Sequence, residues 1–378
     1  MSLASSQKAT DILNARASFA RWPKPARLDE QIKSSVVRHN RLLDQAFDLF
    51  CTLRYNGETV NAEEFCARYP AIQHSLARLL AAHRYLEDHP ELVDVDRLEN
   101  CPVPGDIFVG FRLERELGRG AFARVFQATE LALGERQVAL KISPQGTGTA
   151  EAATLGRMVH PNIVPIFSVA EDEESGLTAV CMPYLGQATL LNILDHVYGQ
   201  PAPEPTAASL LEAIEEIPGA QPVIPSGILA GGSYVDGVRW LAIQLAEALA
   251  FIHAKGICHR DLKPSNILMR ADGTPMLLDF NLAEDMQAPC NRQGGTPSYM
   301  SPEHLRSLNG IQAADPDRPG TRSDLYSLGV ILYELLTGTH PFGPLPLNTS
   351  GTKMMPLLLE RQQRGFRPIR ECCPEVDV

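Results

Sequence analysis

The sequence predicts an α+β protein built as two lobes with a cleft between them, preceded by an all-helical region. Three observations carry that expectation. Apolar residues recur at helical spacing from residue 28 to about 89. From Phe111 the period shortens to that of strands. After Met182 the chain turns mainly helical. A strand-rich part followed by a helical part implies two packed units, and ligands settle in the cleft between such units.

Residues 1–27 are polar and small, with Pro23 and Pro25, and read as a disordered tail. Residues 28–104 read as the helical region and its linker. Ile32, Val36, Leu43, Phe47 and Phe50 follow three-to-four-residue spacing or its multiples. Asn61 with Glu64 three positions on predicts an N-cap that opens a short helix through Phe65. Ile72, Leu76, Leu79 and Leu86 mark another amphipathic helix, and 90–104 is the linker. Residues 105–378 form the two-lobed unit, with a strand-rich lobe over about 105–185 and a helical lobe over about 186–378. In the first, 111–117, 124–130 and 137–143 read as strands separated by glycine turns. In the second, 197–237 stands apart, with six prolines, five acidic residues and neither Lys nor Arg. It reads as an inserted surface loop with a helical turn or two at 209–217. Val238, Leu241, Leu245, Leu249 and Ile252 then mark a long buried helix. No internal repeat is evident.

Composition bounds the function. The 378 residues correspond to roughly two to three domains. At 44% hydrophobic and 21% charged, the chain can bury an ordinary core. The formal net charge of -11 argues against nucleic acid as a partner, since phosphate backbones want a basic surface. The eight cysteines include no CxxC pair, so neither a zinc site nor a disulfide scaffold is expected, and a reducing cytoplasm is the simplest location. There is no apolar signal segment in the first thirty residues and no run of about 18 apolar residues, so no membrane span is expected in this chain.

Several motifs carry chemistry. Gly118-Arg-Gly120-Ala-Phe122-Ala-Arg-Val125 lies between two predicted strands, where glycines let backbone N–H groups approach phosphates. Alone it is no better than a hairpin turn. Val138-Ala139-Leu140-Lys141 ends an apolar strand with a lysine, which by itself is most simply a solvated edge charge. Glu151 lies on the next helical stretch, within range of pairing with Lys141. The sequence then presents His259-Arg260-Asp261-Leu262-Lys263-Pro264-Ser265-Asn266, Asp279-Phe280-Asn281 after an apolar strand at 276–278, Gly295-Thr296-Pro297-Ser298-Tyr299-Met300-Ser301-Pro302-Glu303, and Asp324-Leu-Tyr-Ser-Leu-Gly329.

In order and spacing these motifs resemble the signature set of protein kinases, over about 111–342, and in style the bacterial, eukaryotic-like serine/threonine kinases. The resemblance implies the bilobal protein-kinase fold, with transfer of the γ-phosphoryl of ATP to Ser or Thr hydroxyls of a protein substrate. It implies Mg²⁺ as cofactor, with Mn²⁺ as its substitute. Phosphoryl transfer asks mainly for positioning and charge neutralisation. By the resemblance Lys141 contacts the α- and β-phosphates and is held by Glu151. Asp279 and Asn266 hold the metals, Asp261 orients the acceptor hydroxyl and takes its proton, and Lys263 touches the γ-phosphate. Leu117, Gly118, Gly120, Val125, Ala139, Met182, Pro183, Leu185 and Leu268 line the nucleotide site. Met182 falls at the gatekeeper position. Pro183 lacks an N–H but keeps its carbonyl, while Leu185 supplies both groups, so a proline is tolerated in the hinge. Leu155, Ile166, His259 and Phe280 match the stack behind the catalytic loop, although ordinary core packing explains them as well.

Four departures from the family pattern stand out. Ala123 replaces the third loop glycine, and Asn281 replaces the glycine after Asp279-Phe280, a position that can need positive φ. Lys141 and Glu151 are only ten residues apart. The family's final helical-lobe helices and the arginine that pairs with the Glu303 position are not evident, so a truncated helical lobe and an unpartnered Glu303 are expected. The apolar helix at 325–336 would then bare a face, inviting self-association there or through the N-terminal helices, or cover by those helices. The segment 281–295 holds no Ser, Thr or Tyr, so either Glu284 or Asp285 faces Arg260 in place of a phosphate, or Arg260 is idle. The rivals are a pseudokinase or scaffold without turnover, and a small-molecule phosphotransferase of related fold. The intact Lys141, Asp261, Asn266 and Asp279 speak against the first, and the 295–303 segment speaks against the second.

Overall fold

The computed structural model describes residues 35–88, 101–119, 123–144, 156, 158–199, 204–212, 214, 227–280, 284–285, 295–308, 320–344, 346–349 and 351–376. Three helices come first: α1 (Ser35–Tyr55), α2 (Ala62–Ala67) and α3 (Gln73–Asp88). Asn61 caps α2, its side-chain oxygen accepting from the N–H groups of Glu63 and Glu64 at 3.0 and 3.2 Å. The inward faces of these helices form a small core around Phe50, Phe65, Ile72, Leu76 and Leu80, which Leu347 from far along the chain completes. On α3 the buried residue is Leu80 and Leu79 is half-buried, while the side chain of Leu86 lies outside the described residues.

A six-stranded antiparallel sheet follows: β1 (Ile107–Phe108), β2 (Phe111–Arg119), β3 (Arg124–Glu130), β4 (Arg136–Pro144), β5 (Ser168–Asp172) and β6 (Leu177–Pro183), in the order β1-β2-β3-β4-β6-β5. Strand alternation sorts its residues. Phe126, Val138, Leu140, Ile142, Ala179 and Cys181 point into one apolar core.

The helical part contains α4 (Leu190–Tyr198), α5 (Tyr234–Ala254), α6 (Pro302–Leu308), α7 (Thr321–Thr337) and α8 (Gly351–Arg364). Short strands β7 (Ile257–Cys258), β8 (Ile267–Met269), β9 (Pro275–Leu277) and β10 (Glu284–Asp285) pair as β8–β9 and β7–β10. Val238, Leu241, Leu245, Leu249 and Ile252 of α5 are buried against Leu328, Ile331 and Leu335 of α7 in the largest core. No helix among the described residues is long and apolar enough to cross a membrane.

Two expectations need correction. The stretch 197–237 is not simply a surface loop. Its described residues Ala207, Leu210 and Leu229 are fully buried, because they roof α4 and α5 where a polar loop would leave apolar side chains bare. Nor does α7 present a broad bare face: Leu328, Val330, Ile331 and Leu335 are buried, Leu332 and Leu336 are packed against the core, and only Leu325 of the expected apolar stretch is exposed. Gly338 ends α7 in the left-handed region at φ +67, and a Cβ there would lie 2.5 Å from the Tyr198 ring, so both conformation and contact demand glycine.

Candidate active site

The face of the sheet opposite its core carries the first half of the site. Register sets Val125 opposite Lys141, Lys141 opposite Val180, and Ala139 opposite Met182. Cross-strand partners share a face, so Val125, Ala139, Lys141 and Met182 project together. Leu117 and Gly118 end β2 beyond a bulge, with Gly118 opposite Val125. Met182, Leu185 and Leu278 pack on Val164, Leu268 and Met276, which brings the expected hinge residues onto β8 and β9. Pro183 closes β6 opposite Val138. Pro183 and Leu185 also border a pocket of about 360 Å³ with His160, Ile163, Arg270 and Met276, on which neither Lys141 nor Asp261 opens.

Lys141, with its side chain 6% exposed, forms an ion pair with the Asp279 carboxylate. Burial alone would raise the Asp279 carboxyl. The Lys141 ammonium beside it, helped by Lys263 and His259, outweighs burial and holds it below the usual carboxylate range. Asp279 stands at φ +64 and Arg260 at φ +65, a left-handed conformation that costs a non-glycine residue about 1–2 kcal/mol. Such strain persists only where the surroundings enforce it. Here they do. The Leu278 N–H donates to the Asn266 carbonyl at 2.9 Å, the Leu278 carbonyl accepts from His259 Nε2 at 2.9 Å, and the His259 and Phe280 rings lie 4.7 Å apart.

Asp324, buried on α7, fixes the loop 259–266 from beneath. Its two oxygens accept the backbone N–H groups of Arg260 and His259, each at 2.8 Å, and His253 Nε2 reaches it at 2.8 Å. Above this anchor lies Asp261. Its Oδ2 accepts from Lys263 Nζ at 2.7 Å and Asn266 Nδ2 at 3.2 Å, and its Oδ1 accepts from the Thr296 hydroxyl at 2.9 Å. Lys263 also donates to Thr296 Oγ1 at 2.9 Å. The carboxylate is therefore oriented from three sides, with a cation beside it.

The structure thus gathers Asp261, Lys263, Asn266 and Thr296 in one cluster, and Lys141 with Asp279 in an ion pair. Gly120, Glu151, Leu155 and Asn281 lie outside the described residues. Ile166 is packed against the helical core. Only the backbone of Glu284 and Asp285 is described, where it pairs with Cys258 and Ile257 just before the catalytic loop. Glu303 does not lack partners. Burial would raise it, but hydrogen bonds from Ser301 and Ser323, the latter at 2.8 Å, hold it below its ordinary value. A different carboxylate takes an arginine: Arg78 of α3 pairs with Glu334 at 2.5 Å and donates to the Tyr299 hydroxyl at 2.7 Å. Ser327, His340 and Gln362 also donate to the 298–300 backbone carbonyls, neighbours that no local motif announces.

Comparison with known proteins agrees with this geometry. The model of the protein kinase domain matches residues 230–363, and that of a phosphotransferase enzyme family matches residues 114–286. The chain is similar to the DNA damage-responsive serine/threonine-protein kinase RqkA of Deinococcus radiodurans, 32% identical over 63% of this chain and 31% of that one. It is similar to the probable serine/threonine-protein kinase PknB of Lactococcus lactis, 29% identical over 72% of this chain and 38% of that one. The serine/threonine-protein kinase PksC of Streptomyces coelicolor is 29% identical over 68% of this chain and 43% of its own length. The matched part is therefore less than half the length of each relative.

Proposed function

We propose that the chain is a serine/threonine protein kinase of the bacterial type, like the relatives it resembles, and that it transfers the γ-phosphoryl of ATP to serine or threonine hydroxyls of protein substrates. The observation that carries the reading is Asp261, oriented by Lys263, Asn266 and Thr296 beside the Lys141–Asp279 pair. In this proposal Asp261 receives the acceptor's proton as the hydroxyl oxygen bonds to the γ-phosphorus and the bond to the bridging oxygen of ADP breaks. Lys263 neutralises charge beside it. Lys141 leaves Asp279 for the α- and β-phosphates, with Glu151 as its other partner. Val125, Ala139, Met182 and Leu268 enclose the adenine, Pro183 and Leu185 offer it backbone groups, and Leu117, Gly118 and Gly120 cover the phosphates.

The residues fit a hard divalent cation. Asn266 uses its amide N–H groups on Asp261, so its Oδ1 is free for a metal, and Asp279 supplies a carboxylate kept ionised. Asn266 and Asp279 would hold Mg²⁺ or Mn²⁺, which supplies charge neutralisation on the phosphates. The domain reading is part of the same proposal: a helical unit over 28–104, a sheet lobe over about 105–185 and a helical lobe from about 186. So is a cytosolic workplace, which the spacing of the cysteines, without a CxxC pair, supports.

A protein rather than a small molecule is favoured as acceptor because residues 295–303 lie inside the protein-kinase match and past the end of the phosphotransferase match. Incubation with radiolabelled ATP, Mg²⁺ and casein should yield phosphoserine or phosphothreonine, and Lys141→Met should abolish the signal. Absence of label from casein and from the chain itself, with ATP bound, would sink the proposal.

A further inference from the structure

The segment 295–303 is gripped by a part of the chain more than two hundred residues away in sequence. Arg78 Nη2 reaches Glu334 Oε1 at 2.5 Å, Arg78 Nε donates to the Tyr299 hydroxyl at 2.7 Å, and that hydroxyl donates to Glu334 Oε2 at 2.6 Å. The triangle is closed and nearly dry, with the Arg78 and Glu334 side chains 13% and 4% exposed. A buried ion pair seldom adds net stability over an apolar replacement, so its contribution here is geometric. It fixes where the Tyr299 ring stands relative to α3 and α7.

α3 is itself firmly seated. Its first-turn N–H groups, which no helix can satisfy internally, are met by a side chain of α4. Asp195, fully buried, accepts from His74 N at 2.8 Å and Ser75 N at 3.1 Å, and the Ser75 hydroxyl also binds it. His74 Nε2 meets the Gly338 carbonyl at 3.1 Å while its Nδ1 faces Asp195 at 3.2 Å. At the other edge, Asn348 donates to Asn61 Oδ1 and accepts from Ala62 N, both at 3.2 Å. The helical unit thus touches α4, the end of α7 and the 346–349 turn around the same segment.

From Tyr299 the contact runs to the chemistry in two steps. Its N–H donates to the Thr296 carbonyl at 2.9 Å within a single 3₁₀ turn, and the Thr296 hydroxyl binds Asp261 at 2.9 Å. We propose that α1–α3 are a built-in clamp on the substrate-binding segment, and that Arg78 is its positioning residue: it holds Tyr299, and through it Thr296, in register with Asp261. The clamp deepens the kinase reading, on which its catalytic consequence rests.

The test uses the full chain and three variants, Arg78→Met, Tyr299→Phe and Arg78→Met with Glu334→Gln. Hydrogen exchange of 295–303 reports the clamp without any activity. It should speed up in Arg78→Met, and to a lesser degree in Tyr299→Phe, while 259–266 stays protected. Casein phosphorylation in Arg78→Met should fall in kcat/KM by ~10–100-fold, the scale of an ångström-sized misplacement, with ATP affinity unchanged. The double variant removes the uncompensated Glu334 charge. It should recover the melting temperature but not kcat/KM or the slow exchange. Recovery of all three would mean that Arg78 only neutralises a buried carboxylate, and would overturn the proposal. So would unchanged exchange in both Arg78→Met and Tyr299→Phe. If Arg78→Met fails to fold, Tyr299→Phe and the double variant decide by the same readings. A parent that labels no protein would defeat the kinase reading alone, leaving the exchange result to judge the clamp.

Discussion

The loop 259–266 carries Asp261 and the segment 295–303 binds it through Thr296, and the two are held in opposite ways. The loop is pinned mainly by its own motif and one carboxylate: Asp324 takes two backbone N–H groups, and Asn266, Lys263 and Asp261 bind one another within five residues. The segment is pinned by side chains drawn from distant parts of the chain. Ser298 O is bound by His340, Tyr299 O by Ser327, Met300 O by Gln362, and the Tyr299 hydroxyl by Arg78 and Glu334. Met300 also sits in a separate small core with Leu305 of α6 and Met354, Met355 and Leu358 of α8. If Asp261 takes a proton as proposed, its loop gains from local rigidity. The segment 295–303, the proposed seat of the protein substrate, is built where several units converge, so its geometry depends on all of them.

The comparison breaks first on chemistry. Asp261→Asn keeps the size and most hydrogen bonds of the side chain but removes its basicity. It should cut kcat by ~10²–10⁴-fold, the range of a general base, with ATP binding retained. A kcat within a few-fold of the parent's would show that the loop's rigidity serves something other than proton transfer.

Next comes the anchoring itself. Asp324→Ala leaves the His259 and Arg260 N–H groups buried and bare beside His253, and should destabilise the chain by about 3–5 kcal/mol in denaturant melts. Ser327→Ala removes one of the four supports of the segment, at Tyr299 O, and should cost about 1–2 kcal/mol. Comparable losses for the two would erase the distinction between a loop with one dominant anchor and a segment whose support is spread over many.

The same contrast explains what the sequence could show. Asp261, Lys263, Asn266 and Asp279 were legible because their chemistry is written in short, contiguous motifs. β3 and β4 were legible from alternation. Asn61 was legible because a cap is a local event, made by an oxygen two and three residues from the N–H groups it accepts. Arg78 was not. It sits on an amphipathic helix whose pattern says only that one face is buried, and its partners are 221 and 256 residues away. Leu210 and Leu229 were hidden for a related reason. Proline and acidic content made their stretch look like surface, while single leucines carry no period.

The smallest expected effect concerns pH, and it acts on the segment rather than the loop. His340 binds the Ser298 carbonyl through Nε2 at 2.9 Å and packs edge-on to Tyr299. Burial pushes its pKa below the ordinary imidazole value, more than Glu334 and the Ser298 carbonyl raise it, and Arg78 and Arg361 push the same way as burial. The unfolded chain therefore binds a proton here before the folded chain does. Stability from this group is complete above pH ~6.5 and declines as pH falls below that value toward the depressed folded pKa. His304, three residues beyond Ser301 and lowered by burial, and His39, lowered by burial, add in the same direction, while His74, which burial would lower but Asp195 raises, opposes them. Between pH 7.5 and 5.5 the melting temperature should drop by a few degrees, and the protection of 295–303 relative to intrinsic exchange should fall while that of 259–266 is unchanged. His340→Gln keeps an N–H donor for Ser298 without a titratable ring, so its melting temperature should fall less over the same interval. Equal slopes for His340→Gln and the parent would place the pH response outside the segment.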